Sequence, residues 1–202
     1  MKIGALLFDL GKVLINFDFE TGVRALHACC AISRDHFEDL LWDKRWIRRY
    51  ERGEISTAEY HNYLCQNAKL DMDLPEFRRT WSSVFSPDLL VSEDLIARLK
   101  RKYRLLLVSN TNEAHADFLR ETYPVVNYFD HHIFSYKVGS LKPDRKIFEC
   151  AIAASGYPAE ALFFTDDREE NVRAASELGI HVHQFESESK LIEALRKVGV
   201  EV

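Results

Sequence analysis

The chain has 202 residues, of which 47% are hydrophobic and 29% charged, as expected of a soluble globular protein with room for an α/β core and a small insertion. The formal net charge of -5 argues against a broad basic field of the kind that binds nucleic acid or an anionic membrane. No stretch is long and apolar enough to span a bilayer.

The N-terminal segment resembles a secretory signal only superficially. Its apolar run covers residues 3–8, which is too short for a signal, and it ends at Asp9. A run of this length before a polar residue is typical of a buried strand. The four cysteines form no Cys-x-x-Cys pair, so we expect reduced, partly buried thiols in a cytoplasmic protein.

Short apolar runs that end in polar or small residues predict the strands of the core. They lie at residues 5–8, 105–108, 133–134 and 162–164, with a weaker run at 180–185. Helix-like segments at 113–121, 146–154 and 170–178 lie between the later runs. This alternation predicts an α/β fold with a parallel sheet covered on both faces, in which ligands bind beyond the carboxyl ends of the strands.

Residues 16–87 differ from the rest of the chain, because they are rich in aromatic and charged residues at helical spacing and contain no convincing strand run. Ser33 resembles an N-cap, and residues 56–59 form a potential capping box. Trp42, Trp46 and Tyr50 follow at intervals of four, a stripe that favours core packing over a ligand-binding role. We therefore predict a core of residues 1–15 and 88–202 with an all-helical cap of residues 16–87.

Asp9 follows the first predicted strand and is itself followed by Leu10 and Gly11. A carboxylate at this place projects into a crevice, and the backbone N–H groups of Leu10 and Gly11 can face an anion there. Such a carboxylate can attack phosphorus and form an acyl phosphate. An ordinary turn after a strand would explain the same residues when they are considered alone.

Ser109 and Asn110 stand at the end of another predicted strand, where the hydroxyl and the amide can donate to a phosphoryl oxygen. Helix capping by Thr111 or Asn112 is compatible with that role.

Lys142 precedes Pro143 and Asp144, which suit the first turn of a helix. A lysine held at such a helix start can neutralise both an attacking carboxylate and a transferred phosphoryl group. A surface turn is the ordinary alternative for a Lys-Pro pair.

Asp166 and Asp167 follow the predicted strand at 162–164. Adjacent carboxylates repel each other unless a cation or hydrogen bonds compensate, and hard oxygen ligands are what Mg²⁺ requires. Helix N-capping by one of the two is the alternative.

These four motifs, in this order and each in its expected strand or helix context, resemble those of the haloacid dehalogenase superfamily over essentially the whole chain. The resemblance implies a Rossmann-like core, with the insertion as a helical C1 cap of the kind found in subfamily IA. It also implies an Mg²⁺-dependent phosphatase acting through an aspartyl-phosphate on Asp9.

The same resemblance implies a role for each matching residue. Asp9, the Gly11 carbonyl and Asp167 would bind the metal, with Asp166 acting through a metal-bound water. Lys142 would assist catalysis and neutralise the phosphoryl group. Phosphate would be bound by Leu10, Gly11, Ser109, Asn110 and Lys142. Asn171 falls where the superfamily often has a supporting polar residue.

One residue departs from the pattern of most phosphatases in the superfamily. They carry a second Asp two positions after the nucleophile, as a general acid and base, whereas this chain has Gly11. Loss of such a group typically costs a factor on the order of 10²–10⁴ in rate unless another group substitutes. The first motif, residues 51–56 and residues 109–112 resemble a branch with the same substitution, the bacterial α-D-glucose-1-phosphate phosphatases. Lys12 departs from the small or polar residue usual there.

The resemblance therefore implies a small phosphorylated metabolite as the partner, with a sugar phosphate as the first expected substrate and a sugar 1-phosphate as a narrower option. A monomer is the default expectation. Two alternatives remain. Haloacid dehalogenases also lack the second Asp and attack carbon without a metal, but they have no need for Asp166 beside Asp167. A weakly active or regulatory protein with this fold would also tolerate Gly11.

Overall fold

The computed structural model describes residues 2–202, and this range contains seven strands. They are β1 (Ala5–Phe8), β2 (Ile15–Phe17), β3 (Phe85–Leu89), β4 (Arg104–Ser109), β5 (His131–Phe134), β6 (Leu162–Asp166) and β7 (His181–Gln184). Five of them form one parallel sheet in the spatial order β5-β4-β1-β6-β7. These are the five predicted apolar runs, so the α/β sheet prediction is confirmed.

Eleven α-helices accompany these strands between residues 2 and 202. They are α1 (Phe19–His27), α2 (Arg34–Leu41), α3 (Lys44–Glu51), α4 (Thr57–Asn67), α5 (Leu74–Ser82), α6 (Glu93–Lys100), α7 (Glu113–Thr122), α8 (Ser135–Val138), α9 (Arg145–Ser155), α10 (Glu169–Ser176) and α11 (Glu188–Lys197). Short 3₁₀ turns cover Pro124–Tyr128 and Ala159–Ala161. No helix in this range is both long enough and apolar enough to cross a membrane.

The sheet is buried on both faces, which explains why its strands are apolar without alternation. In β1, Leu6 and Phe8 point to the face covered by α6, α7 and α11, while Ala5 and Leu7 point to the face covered by α9 and α10. The strand order makes β1 the middle strand of the five, so Asp9 emerges at the centre of the sheet edge.

Helices α1 to α5 form a second apolar core of their own, which includes Phe37, Tyr60, Phe77 and Trp81. The capping box at the start of α4 is present, because Ser56 and Glu59 bond reciprocally. The predicted stripe of Trp42, Trp46 and Tyr50 does not lie on one helix. Trp42 ends α2 and is 36% exposed, while Asp43 caps the start of α3. The chain leaves the helical conformation between α2 and α3, so the four-residue spacing of these aromatic residues does not correspond to one helix face.

The insertion is not wholly helical at its ends. Strands β2 and β3 pair antiparallel as a two-stranded ribbon that joins the helical insertion to the core. Both strands are short and only partly buried, so they lack the apolar run by which the other strands were predicted. The predicted boundaries at residues 15–16 and 87–88 fall inside this ribbon, and the division into core and cap stays a prediction.

Candidate active site

Three carboxylates meet at the carboxyl edge of the sheet. Asp9 follows β1, Asp166 ends β6 beside it, and Asp167 comes next, with the Asp9 N–H donating to the Thr165 carbonyl at 2.9 Å. One oxygen from each carboxylate lies within 4.8 Å of the others. The tertiary structure therefore brings the predicted acidic residues together from segments more than 150 residues apart.

The donor set fits a hard divalent cation. Carboxylate oxygens are the ligands that Mg²⁺ prefers, and three of them this close repel one another without a cation. The Oδ1 atom of Asn171 gives a second indication, because it is buried, lacks a hydrogen-bond partner among the described residues and belongs to a residue that lines the same cavity. Buried polar atoms without partners are uncommon in proteins and point to a missing water or ion.

Lys142 forms ion pairs with two of these carboxylates. Its Nζ atom lies 2.8 Å from Oδ1 of Asp9 and 2.6 Å from Oδ2 of Asp166, and its side chain is 1% exposed. The lysine backbone is fixed by Asn110, whose Oδ1 accepts from the Lys142 N–H at 2.7 Å and whose Nδ2 donates to the Lys142 carbonyl at 2.9 Å. This geometry positions a buried cation against the predicted nucleophile.

The predicted helix start at Pro143, directly after Lys142, is wrong. The Lys142–Pro143 peptide is cis and lies in a turn that the Asp144 N–H closes onto the Leu141 carbonyl at 2.7 Å. Helix α9 begins only at Arg145, and Asp144 makes no side-chain capping bond. Lys142 is therefore positioned by the turn and by Asn110 instead of by a helix N-terminus.

Burial and mutual repulsion dominate the electrostatics. Burial raises the pKa of Asp9 to about 7, and the negative charge of Asp166 adds to this, although the Lys142 ammonium lowers it. Burial also raises the pKa of Asp167, again with the charge of Asp166. Burial alone would lower the pKa of Lys142, but the charges of Asp9 and Asp166 outweigh it and raise that pKa. The site holds more negative charge than one lysine compensates, so it favours a further cation.

Asp166 is less available to a ligand than Asp167. Its Oδ1 accepts from the Arg168 N–H and from Asn171 Nδ2, both at 2.9 Å, and its Oδ2 faces Lys142. Asp166 is fully buried and does not line the cavity, whereas Asp167 is partly buried and does. The direct and indirect metal roles of the two residues stay predictions.

A cavity of about 220 Å³ opens above the carboxylates. The predicted residues that line it are Asp9, Gly11, Ser109, Asn110, Lys142, Asp167 and Asn171. Leu10 does not line it, because its side chain is buried in the core and its N–H donates to Asp9 Oδ1 at 2.7 Å. The phosphate-binding roles of Leu10, Gly11, Ser109 and Asn110 stay predictions, and one Asn110 amide hydrogen is already used on Lys142.

Phe17, Phe19, Glu51 and Arg168 also line the cavity, and none was predicted as a site residue. The first three come from the ribbon and the helical insertion. Arg168 directly follows the paired aspartates, but its ion pair with Glu170 was not evident from the sequence. Proximity to a recognised motif was the only available signal for Arg168, and the segment 51–56 was the only one for Glu51.

Phe17 explains why residue 11 is glycine. A Cβ atom added to Gly11 would lie 2.6 Å from the Phe17 ring, which is closer than such atoms approach in real structures. An aspartate at residue 11 would therefore require Phe17 to move. The Phe17 ring occupies the space that a side chain at residue 11 would enter.

Lys12 lies on the cavity wall, but its ammonium is engaged by its own loop. Nζ donates to Asn16 Oδ1 at 2.8 Å and to the Phe17 carbonyl at 2.5 Å, and it lies 4.9 Å from the centre of the Phe17 ring. The backbone of Lys12 has a φ of 60°. These contacts tie Lys12 to β2, the strand that carries Phe17.

Polar contacts fix the helical insertion over the cavity. Thr57 Oγ1 donates to Glu113 at 2.6 Å, and Arg78 pairs with Asp117 at 2.7 Å. These pairs are partly exposed, so each contributes little to the free energy of unfolding, and we assign them a positioning role.

Gly53 allows a close approach between the insertion and the core. Its φ is +68°, and an added Cβ would lie 2.0 Å from the Tyr136 backbone oxygen. We expect Gly53→Ala to lower the free energy of unfolding by more than the roughly 1–2 kcal/mol of the left-handed conformation alone, and to lower catalytic efficiency. Gly199→Ala is the matched control, since Gly199 has a φ of +80° with no atom within 4 Å of the added Cβ. Chemical denaturation measures both, and equal losses in the two variants would contradict a close approach at Gly53.

Comparisons with known sequences identify the family of this chain. A family model described as haloacid dehalogenase-like hydrolase matches residues 3–179. The chain is 27% identical to a D-ribitol-5-phosphate phosphatase of Bacteroides thetaiotaomicron, over 90% of this chain and 91% of that protein. It is 26% identical to a sesquiterpene phosphatase of Aspergillus oryzae, over 96% of each.

Solved structures give the same result. A family enzyme from Bacteroides thetaiotaomicron in complex with magnesium and inorganic phosphate superposes with a TM-score of 0.79 and 28% identity, over 92% of this chain and 95% of that one. A predicted haloacid dehalogenase-like family hydrolase of Porphyromonas gingivalis superposes over the full length of both chains with a TM-score of 0.82 and 28% identity. An L-2-haloacid dehalogenase shares the fold at 19% identity, with a TM-score of 0.58 over 89% of this chain and 82% of its own.

Proposed function

Because the chain belongs to the haloacid dehalogenase-like hydrolases, we propose that it is a magnesium-dependent phosphatase of a small phosphorylated metabolite, with Asp9 as the nucleophile. One observation carries the proposal. Asp9, Asp166 and Asp167 converge within 4.8 Å beside a buried lysine, at the floor of a cavity. Folding does not require so many charges in one place, and their cost is reasonable only where a reaction uses them.

Each residue then has a task. The Asp9 carboxylate attacks phosphorus, and Lys142 holds that carboxylate in place at 2.8 Å while it offsets charge on the phosphoryl group. Ser109 and Asn110 would orient the phosphoryl oxygens through hydrogen bonds.

Asp9, Asp167 and the Gly11 carbonyl would hold Mg²⁺, with Asp166 supporting them. When bound, the ion supplies positive charge to the phosphoryl oxygens and relieves the repulsion among the carboxylates.

The cavity limits the size of the substrate. Its volume of about 220 Å³ lies below the roughly 300–1,000 Å³ of pockets that take drug-sized ligands. A short sugar or polyol phosphate suits it better than a sesquiterpene phosphate, and one relative is a D-ribitol-5-phosphate phosphatase. A sugar 1-phosphate remains in the same class, since its anomeric oxygen departs easily.

Phosphate release is expected to depend on Mg²⁺. A panel of sugar, polyol and prenyl phosphates, assayed with Mg²⁺ and with EDTA, should give phosphate from the small polar esters in the presence of the metal only. Added Mg²⁺ should also raise the melting temperature, because binding to the folded state alone stabilises it. Metal-independent turnover, or a complete absence of phosphate across the panel, would contradict the proposal.

Carbon–halogen hydrolysis is the competing chemistry of this fold. The acidic pair beside Asp9 argues against it, since a metal-free reaction has no use for the extra carboxylates. Incubation with L-2-haloacids and measurement of halide separates the two, and halide release without phosphate release would favour dehalogenation.

A further inference from the structure

We propose that Glu51 is the general acid and base of this reaction, supplying from the helical insertion the carboxyl group that residue 11 lacks. The inference rests on the proposed phosphatase function and names a catalytic residue for it. Glu51 is the last residue of α3 and lines the same cavity as Asp9, Lys142 and Asp167.

The Glu51 carboxyl group is free to react. Within residues 2–202 its oxygens take part in no hydrogen bond and no ion pair with another side chain, although the residue is only partly exposed. A carboxyl group on a cavity wall without a structural partner is uncommon, because its charge is costly to bury without compensation. The neighbouring Glu54, by contrast, is exposed and pairs with Arg49 at 3.6 Å.

The backbone of Glu51 is fixed against the core. The Ser135 Oγ donates to the Glu51 carbonyl at 2.7 Å, and Ser135 Oγ also accepts from the Thr111 N–H at 2.9 Å. Two residues later, Gly53 lies directly on the backbone of Tyr136. A general acid must be held within reach of the reacting oxygen, and these contacts provide that restraint from α8 and from the loop that follows β4.

The other titratable residues of the cavity are committed elsewhere. Asp9 and Asp167 belong to the acidic cluster, and Lys142 bridges Asp9 and Asp166. Lys12 donates to its own loop, and an arginine such as Arg168 does not give up its proton in proteins. Glu51 is the lining residue within 2–202 that can both donate and accept a proton and has no other assigned partner.

The surroundings of Glu51 suit proton exchange near neutral pH. Burial raises the pKa of Glu51 to about 7, although the positive charges of Arg48, on the same helix, and of Arg168, beside the acidic pair, lower it. A general acid works best when its pKa lies near the operating pH. Both protonation states are then populated under working conditions.

The two steps balance. In the first, an Asp9 oxygen bonds to phosphorus, the bond from phosphorus to the leaving oxygen breaks, and that oxygen takes the Glu51 proton. In the second, the Glu51 carboxylate takes a proton from a water molecule. The oxygen of that water bonds to phosphorus, and the bond from phosphorus to Asp9 breaks. The sum is ester plus water giving alcohol plus phosphate, with Asp9 and Glu51 restored.

Dependence on the leaving group tests the proposal in the full-length protein with Mg²⁺. Glu51→Gln keeps the shape but cannot transfer the proton. We expect its steady-state rate on an alkyl phosphate to fall by about 10²–10⁴-fold. With 4-nitrophenyl phosphate, whose leaving group needs no proton, we expect a rapid burst near one equivalent of nitrophenolate followed by slow turnover, because only water activation is impaired. Glu54→Gln is the matched control and should resemble the wild-type enzyme on both substrates.

The outcomes separate a catalytic role from a structural one. Equal losses in the burst and in alkyl phosphate turnover, or wild-type rates on both substrates, would overturn the role of Glu51. Glu51→Asp should retain more alkyl phosphate activity than Glu51→Gln. If the Gln variant has a lowered melting temperature, Glu51→Asp is assayed on the same two substrates in its place. A wild-type enzyme without activity on any phosphate ester would instead reject the phosphatase function itself.

Discussion

Asp9→Asn is expected to abolish phosphate release, with a loss on the order of 10⁴-fold or more, because the amide cannot attack phosphorus. The fold should persist. Burial and the charge of Asp166 raise the pKa of Asp9 to about 7, so its carboxylate opposes folding in alkaline solution when no metal is bound. The neutral amide removes that cost. Steady-state phosphate release and thermal melting at pH 8 in EDTA measure the two effects.

The matched control for that variant is Asp39→Asn, an exposed aspartate on α2 that has no part in the site. It should leave both activity and melting temperature unchanged. Substantial activity in Asp9→Asn would remove Asp9 from the mechanism, and a melting temperature well below wild type would show that its carboxylate stabilises the fold.

Lys142→Met is expected to lower both activity and stability. The side chain of Lys142 is 1% exposed and contacts two buried carboxylates, so its removal leaves Asp9 and Asp166 without a counter-charge. Loss of one partner of a buried ion pair typically costs about 3–5 kcal/mol. We also expect activity to fall by on the order of 10²–10³-fold, as when a charge-stabilising donor is removed from an active site.

The stability loss in Lys142→Met should depend on pH with a defined sign. The pKa of Asp9 is already raised above its value in the unfolded chain, and loss of the ammonium raises it further. Folding stability contributed by the protonated carboxyl group is therefore present at low pH and disappears as the pH rises through the folded pKa. Urea denaturation in EDTA should show the largest deficit above pH 7 and a smaller one near pH 5.

The control for this variant is Lys146→Met, which removes an exposed lysine from the first turn of α9. Its stability should match the wild type at both pH values. A deficit in Lys142→Met that does not vary with pH would indicate lost packing instead of unpaired carboxylates.

The sheet and the strand-end chemistry could be predicted because both are recorded locally in the chain. A strand buried on both faces must be apolar throughout, as in Ala5–Phe8, so its first polar residue marks the carboxyl edge. Asp9, Ser109 and Asp166 all lie at that edge in the structure. Parallel strands end on the same side, so these residues could be expected to meet before any distance was known.

The short elements could not be predicted, because they carry no such local record of burial. Strands β2 and β3 are short and partly exposed, so their sequences carry no burial pattern. The turn at Lys142 depends on reciprocal bonds with Asn110, which lies 32 residues away. Local propensity favoured a helix start there, but the tertiary contacts stabilise a turn instead.

The sequence by itself determined the α/β class, the parallel sheet and the identity of the acidic cluster, because apolar runs and the residues that end them obey local rules of burial. Only the tertiary structure decided which side chains complete the cavity. Phe17 fills the space beside Gly11, and Glu51 lies on the cavity wall, where Ser135 bonds its carbonyl and the nearby Gly53 packs against Tyr136. Such long-range approaches follow from the packing of whole elements, which no pattern of neighbouring residues records.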